Sequence, residues 1–64
     1  MKTTTLERLL TQQETADLCG VHLHTIIRAR RAGELRYVQI GRAVRIRELD
    51  VQSWLDSLAV GGEA

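Results

Sequence analysis

The sequence predicts a small α+β domain, because its apolar residues change their spacing twice along the chain. They recur at helical intervals in residues 11–32, alternate with polar residues in 34–47, and return to helical intervals in 48–58. A chain of 64 residues forms one domain with a thin core, since a domain of this size buries only about 60% of the surface of its unfolded chain.

No linker divides the chain, because it has no proline and no tract rich in glycine or serine before Gly61. We expect the domain to span residues 11–58, with an N-terminal extension or short helix at residues 1–10 and a flexible tail at 59–64. The first of these segments has three leucines at helical spacing, which fits either a short helix packed on the core or an ordered arm.

Residues from Thr11 onward have the pattern of a helix start. Thr11 and Glu14 have the spacing of a capping box, in which the hydroxyl and the carboxylate each accept a hydrogen bond from a backbone N–H. The inward positions of this helix are predicted to be Thr15, Ala16 and Cys19. Gly20 is a residue at which the helix can end, and we expect Val21 beyond it to be buried.

A second helix is predicted from about His22 to Ala32, with Gly33 at its end. Its inward positions are Ile26 and Ala29, and its other faces carry histidine and arginine. Two short helices joined by a turn that contains glycine have the form of a helix-turn-helix, whose second helix enters the major groove of DNA.

Residues 34–47 are predicted to form a β-hairpin that turns at Gly41, Arg42 and Ala43. Such a hairpin is marginal alone, so its apolar face is expected to pack on the helices. That face is predicted to consist of Val38, Ile40, Val44 and Ile46. A hairpin beside a helix-turn-helix is a wing, and the predicted α+β fold is therefore a small winged helix-turn-helix.

The closing helix is predicted from about Glu48 to Leu58. Its apolar stripe, at positions i, i+3, i+4 and i+7, consists of Val51, Trp54, Leu55 and Leu58. Glu48 and Asp50 in the first turn favour the helix dipole. We expect Trp54 to be the largest anchor of the core rather than a platform for base stacking.

The net charge of +1 conceals a separation of charge along the chain. Residues 28–47 contain seven arginines and one glutamate, a net charge of +6, whereas residues 1–27 carry −1 and residues 48–64 carry −4. Such a surface suits a polyanion, because arginine binds phosphate through two hydrogen bonds and counterion release favours the complex. The alternative, a solvated charged surface, explains isolated charges better than a block of seven arginines.

We expect the second helix and the tip of the hairpin to contact double-stranded DNA. The predicted contact residues are His22, His24, Thr25, Arg28, Arg31, Arg42 and Arg45. Arg28 or Arg31 is suited to guanine O6 and N7, and the wing arginines to the backbone or the minor groove. Leu23 has two interpretations, a contact with a thymine methyl group or packing on the turn. For part of the set, the alternative is a surface charge without a role.

Other classes of site are not predicted. Cys19, His22 and His24 are of the types that bind zinc, but a structural zinc site takes four ligands, and residues two apart on a helix point in different directions. No pair of nucleophile and base is recognisable, so we expect no metal, no cofactor and no enzymatic activity. One cysteine and no apolar run long enough for a membrane span or signal peptide favour the cytoplasm.

Seven short motifs follow one another between Leu9 and Leu55. They are LLT at 9–11, LCGV at 18–21, TI at 25–26, GEL at 33–35, IGR at 40–42, VRI at 44–46 and SWL at 53–55. In this order and spacing, the chain resembles the excisionase-type DNA-binding domains, small winged helix-turn-helix proteins of the MerR-like superfamily. The order is more specific for the fold than for the biological role.

The chain departs from the pattern of that family at four positions. His22 stands where the family commonly has serine at the start of the second helix, which predicts a weaker cap and altered base contacts. Arg30 replaces an apolar residue, so it must extend out of the core or join the basic surface. Arg36 replaces a frequent proline, and Val44 replaces an aromatic residue.

The resemblance implies a phage or mobile-element excisionase, also called a recombination directionality factor. Such a protein is a monomer in solution that binds tandem sites in an attachment region cooperatively, with neighbouring copies touching. It bends the DNA and directs a tyrosine or serine integrase toward excision. This implies the cytoplasm of a bacterial host, and the nucleoid when the protein is bound to DNA.

Two alternatives from other classes remain. A small transcriptional repressor with the same domain would bind an inverted repeat in a promoter as a dimer, in contrast to tandem sites bound by monomers. A protein-interaction module would instead dock through its leucine and tryptophan stripe, and its weak binding to DNA would not depend on Arg28.

Overall fold

The computed structural model describes residues 8–60 as three helices and three short strands. In chain order they are β1 (Leu9–Leu10), α1 (Gln12–Cys19), α2 (Leu23–Arg31), β2 (Val38–Ile40), β3 (Ala43–Arg47) and α3 (Glu48–Leu58). The strands form one antiparallel sheet in the order β1, β3, β2. The chain is thus an α+β winged helix-turn-helix, with β2 and β3 as the wing. The parts of the predicted N-terminal extension and tail at 1–7 and 61–64 lie outside the described residues.

The predicted capping box at the start of α1 is confirmed. The Glu14 N–H donates to Thr11 Oγ1, and the Thr11 N–H donates to Glu14 Oε1, both at 2.9 Å. The bond from the Thr11 backbone lowers the pKa of the Glu14 carboxyl, and the positive charge of Arg8, 3.7 Å away, acts in the same direction. The Thr15 hydroxyl donates to the Thr11 carbonyl at 2.9 Å, which lets this polar side chain be fully buried.

The turn between α1 and α2 is held by backbone hydrogen bonds. Gly20 has a φ of +70°, and its N–H donates to the Asp17 carbonyl at 3.2 Å. The Val21 N–H donates to the Ala16 carbonyl at 3.0 Å, which completes a Schellman motif. The predicted burial of Val21 is wrong, because 37% of this residue is exposed. The turn depends on its N–H rather than on burial of its side chain.

Helix α2 has the predicted position and rotation. Ile26 and Ala29 are its buried residues. At its end, the Gly33 N–H donates to the Arg30 carbonyl at 3.1 Å and the Glu34 N–H donates to the Ala29 carbonyl at 3.0 Å, a second Schellman motif. The start of α1 and the end of α2 are therefore both fixed by hydrogen bonds at residues that the sequence predicted as caps, Thr11 with Glu14 and Gly33.

The register of the wing differs from the prediction. The turn consists of two residues, Gly41 and Arg42, because Ile40 pairs with Ala43 and Val38 pairs with Arg45. Gly41 has a φ of +60°, as the first residue of a type II′ turn requires. Residues paired directly across a ladder share one face, so Val38 and Ile40 lie on the face of Arg45.

This register overturns the predicted single apolar face. Ile46 and Val44 lie on the inner face, where Ile46 is fully buried and Val44 is half-buried against the core. Ile40 lies on the other face and is 56% exposed. A shift of one residue in a strand exchanges its two faces, so one residue more in the turn would place Ile40 on the inner face together with Ile46.

Strand β1 joins the N-terminal end of the described chain to the core. Leu10 pairs with Ile46 and Leu9 pairs with Arg47. Leu10 is 3% exposed, so it shares the inner face of the sheet with Ile46. The sequence left a helix or an ordered arm open for these leucines, and the structure has a strand.

The core contains residues from every element except β2, together with one residue of the loop after α2. Its members are Leu10, Ala16, Ile26, Ala29, Leu35, Ile46, Val51 and Trp54. Trp54 is 6% exposed, as expected of a core anchor. The predicted stripe of α3 is wrong beyond that residue, because Leu55 and Leu58 are 40% and 52% exposed. The core is too small to cover the last turn of α3.

The wing register predicts unequal effects of two identical substitutions. Ile46→Val removes a methylene group from the core and should lower the free energy of unfolding by about 0.5 to 1.5 kcal/mol. Ile40→Val removes the same group from an exposed side chain and should change it by less than about 0.5 kcal/mol. Urea unfolding followed by circular dichroism measures both. Equal losses would mean that both isoleucines face the core, as a three-residue turn requires.

Candidate nucleic-acid interface

The side of α2 that faces away from the core carries three of the predicted contact residues. Burial of Ile26 and Ala29 fixes the rotation of this helix, so the opposite side is exposed to solvent. A shallow hollow of about 220 Å³ lies there. It is lined by His24, Ile27, Arg28 and Arg31. The structure therefore brings His24, Arg28 and Arg31 together, and it adds Ile27, which the sequence interpretation did not include.

His22 is used as the N-cap of α2. Its Nδ1 accepts a hydrogen bond from the His24 N–H at 3.1 Å, and its carbonyl accepts one from the Thr25 N–H at 2.9 Å. An imidazole nitrogen therefore takes the place of a hydroxyl as the side-chain acceptor of this cap. Because Nδ1 accepts, the neutral ring carries its hydrogen on Nε2, which remains available as a donor.

Thr25 lies on a different flank of α2 from His24. It is half-buried and lines a groove of about 360 Å³ between α2 and α3, together with Arg28 and Trp54. Arg28 borders both this groove and the shallow hollow. The groove that contains Thr25 therefore adjoins the hollow on the exposed side of α2, with Arg28 between them.

The wing presents the remaining two predicted residues. Arg42 is exposed in the turn, and Arg45 is half-buried with its Nη1 donating to the Val44 carbonyl at 2.8 Å. Both line an open groove of about 590 Å³ that also reaches Leu23 at the start of α2 and Gln13 in the first turn of α1. The wing arginines thus lie beside the helix-turn-helix and across a groove from it.

Arg30 differs from the two arginines next to it on α2. Its Nε–H donates to Gln12 Oε1 at 2.9 Å, and its guanidinium carbon lies 4.8 Å from the centre of the Tyr37 ring. This cation–π contact and the hydrogen bond connect α2 to α1 and to the segment before β2. Arg30 extends out of the core, which was one of the two expectations for it. Its guanidinium does not remain free in solvent, because Gln12 and Tyr37 bind it.

The described residues offer little to a metal ion. Within residues 8–60, no three histidine, cysteine, aspartate or glutamate side chains are grouped closely enough to hold one. The rings of His22 and His24 are 4.9 Å apart, whereas Cys19 is half-buried against the core, and burial raises the pKa of its thiol. In the same part of the chain, no helix has the length and apolar character needed to cross a membrane.

Comparison with known families identifies the motif. A model of the helix-turn-helix domain matches residues 9–59, from β1 to the end of α3. The chain belongs to this helix-turn-helix domain family. The family includes excisionase-like DNA-binding proteins, and membership implies sequence-specific binding to double-stranded DNA. No curated protein and no solved structure matches the chain at a significant level.

The different surroundings of two adjacent arginines predict different effects on folding. Arg30→Ala removes a charged hydrogen bond and a cation–π contact, both partly exposed, and should lower the free energy of unfolding by about 1 to 2 kcal/mol. Arg31→Ala is the matched control, since Arg31 is exposed, and it should stay within about 0.5 kcal/mol of the wild type. Urea unfolding measures both, and similar values for the two variants would contradict the structural role of Arg30.

Proposed function

We propose that this helix-turn-helix protein is an excisionase, or recombination directionality factor. In this proposal it binds tandem sites in an attachment region cooperatively, bends the DNA and directs a tyrosine or serine integrase toward excision. The observation that carries the proposal is the division of charge between elements. Six arginines lie on α2 and the wing, whereas α3 carries Glu48, Asp50 and Asp56 and no basic residue.

The proposed complex has α2 in the major groove and the wing beside it. Arg28 and Arg31 would bind guanine through two hydrogen bonds each, because both are exposed and, within residues 8–60, no other side chain holds either of them. His24 lies in the same hollow and would contact a base edge or a phosphate. His22 and Thr25, at the start and on the flank of α2, would donate hydrogen bonds to phosphates.

The wing arginines would position the protein rather than select the sequence. Arg42 at the tip would enter the minor groove or bind the backbone, and Arg45 would bind a phosphate next to the groove that the wing shares with α1. A basic side chain in the minor groove favours DNA that is narrowed there, which supports bending as part of the mechanism.

The acidic helix α3 favours tandem sites over an inverted repeat. Two copies bound in the same orientation meet through two different surfaces, whereas a two-fold dimer brings the same surface of each copy together. Acidic α3 repels a second α3. Neighbouring copies would therefore associate through α3 of one and a different surface of the next. A monomer in solution fits this arrangement, because the DNA holds the copies together.

Footprinting on genomic fragments tests the role. We expect the protein, mixed with sheared DNA of its source genome at moderate salt, to retain fragments that carry protected direct repeats beside an integrase attachment site. A single inverted repeat over a promoter would make the protein a transcriptional repressor instead. Retention without preference for any fragment would contradict sequence-specific binding.

Arginine substitutions test the proposed contacts on the recovered site. Arg28→Ala and Arg31→Ala should each weaken binding by about 1 to 3 kcal/mol and relax the preference at one base pair. Arg42→Ala should weaken binding to all sequences alike, because its contact is with the backbone or the minor groove. Arg36→Ala is a matched control, since Arg36 is an exposed arginine outside the proposed set. Unchanged affinity in the first three variants would refute this placement of the DNA.

A further inference from the structure

Leu23 and Ile27 are apolar residues of α2 that lie outside the core. From this helix the core takes Ile26 and Ala29, and the half-buried apolar residues that pack against the core are Cys19 and Val44. Leu23 and Ile27 are half-buried as well. Four residues apart on a helix, they lie on one side of it, about 6 Å from each other. We call this pair the α2 ridge.

Basic side chains flank the α2 ridge on both sides. Ile27 lies in the shallow hollow with Arg28 and Arg31. Leu23 lies with Arg42 and Arg45 in the open groove between the wing and the helix-turn-helix, which we call the wing groove. Arginine can cover apolar surface with its methylene groups while its charged end stays in solvent. An apolar ridge between arginines suits a partner that offers an apolar group within an anionic surface.

DNA offers such a group in the major groove, where each thymine presents its 5-methyl group. We propose that the α2 ridge reads thymine, with Leu23 and Ile27 each in contact with one methyl group. This inference rests on the proposed entry of α2 into the major groove. Because stacked bases are about 3.4 Å apart, a ridge of about 6 Å reaches thymines within about two base pairs of each other. The arginines beside the ridge then read guanine and hold the backbone.

Replacement of thymine by uracil in the recovered site tests the ridge. Uracil pairs as thymine does and lacks only the methyl group, so each thymine is replaced singly and the dissociation constant is measured. We expect about fourfold weaker binding at one or two positions, which corresponds to the burial of one methyl-sized group. At one of these positions the preference for thymine should disappear in Ile27→Ala, and at the other in Leu23→Ala.

Two further variants keep the test decisive. Ile27→Val removes only one carbon, so it retains measurable binding and should show a reduced preference for thymine even if the alanine variant binds too weakly. Leu18→Ala is the control, because Leu18 is a 68% exposed leucine on α1, outside both the hollow and the wing groove. It should keep the full preference. Thermal melts of all variants show whether they are folded.

The outcomes separate this inference from the proposed function. Loss of the thymine preference in the ridge variants alone would support both. If the wild type recognises its site but no thymine can be distinguished from uracil, or if the ridge variants keep the preference, the reading of thymine is refuted and the DNA-binding function stands. If the wild type binds every fragment alike, the proposed function and the inference both fail.

Discussion

Ile26 and Ala29 are the two side chains by which α2 is anchored, and the rest of the molecule depends on their burial. Successive residues of a helix are about 100° apart, so a shift of one position would turn Ile27 into the core and Ile26 out of it. The two caps prevent such a shift, because His22 fixes the start of α2 and the hydrogen bonds around Gly33 fix its end. The same constraint that builds the core therefore decides which side chains of α2 face a partner.

Strand β3 is the central strand of the sheet, since β1 and β2 both pair with it, and α1 and α3 both pack on it. Its inner residue Ile46 is shared by the sheet and the helices. The sequence predicted two strands and their approximate ends, but not the faces of β2. Which residues of β2 face the core depends on whether the turn contains two or three residues, and the length of the turn depends on the backbone conformation at Gly41. The pairing of β1 was also not predictable, because a strand of two leucines is defined only by its distant partner.

Helix boundaries were predictable for a physical reason. A cap depends on residues within five positions of one another. The roles of Thr11 with Glu14, and of Gly20 after the first helix, can therefore be recognised from the neighbouring sequence alone. Burial at the end of α3 is different, because it depends on how much of the protein lies beside each turn. The stripe of α3 continues to Leu58, but the core ends at Trp54. Periodicity therefore predicted the direction of the apolar face and not its covered length.

The candidate interface shows the same division between local and distant information. Periodicity placed Arg28 and Arg31 away from the core, whereas the departure from the family pattern at Arg30 left two destinations open for that side chain. Only the folded chain brings Gln12 and Tyr37 to Arg30, and their contacts use its charge within the protein. The arginine block of the sequence thus contains at least one residue with a structural role. Net charge in a segment indicates a polyanion partner, but the number of charges that reach the partner is decided by packing.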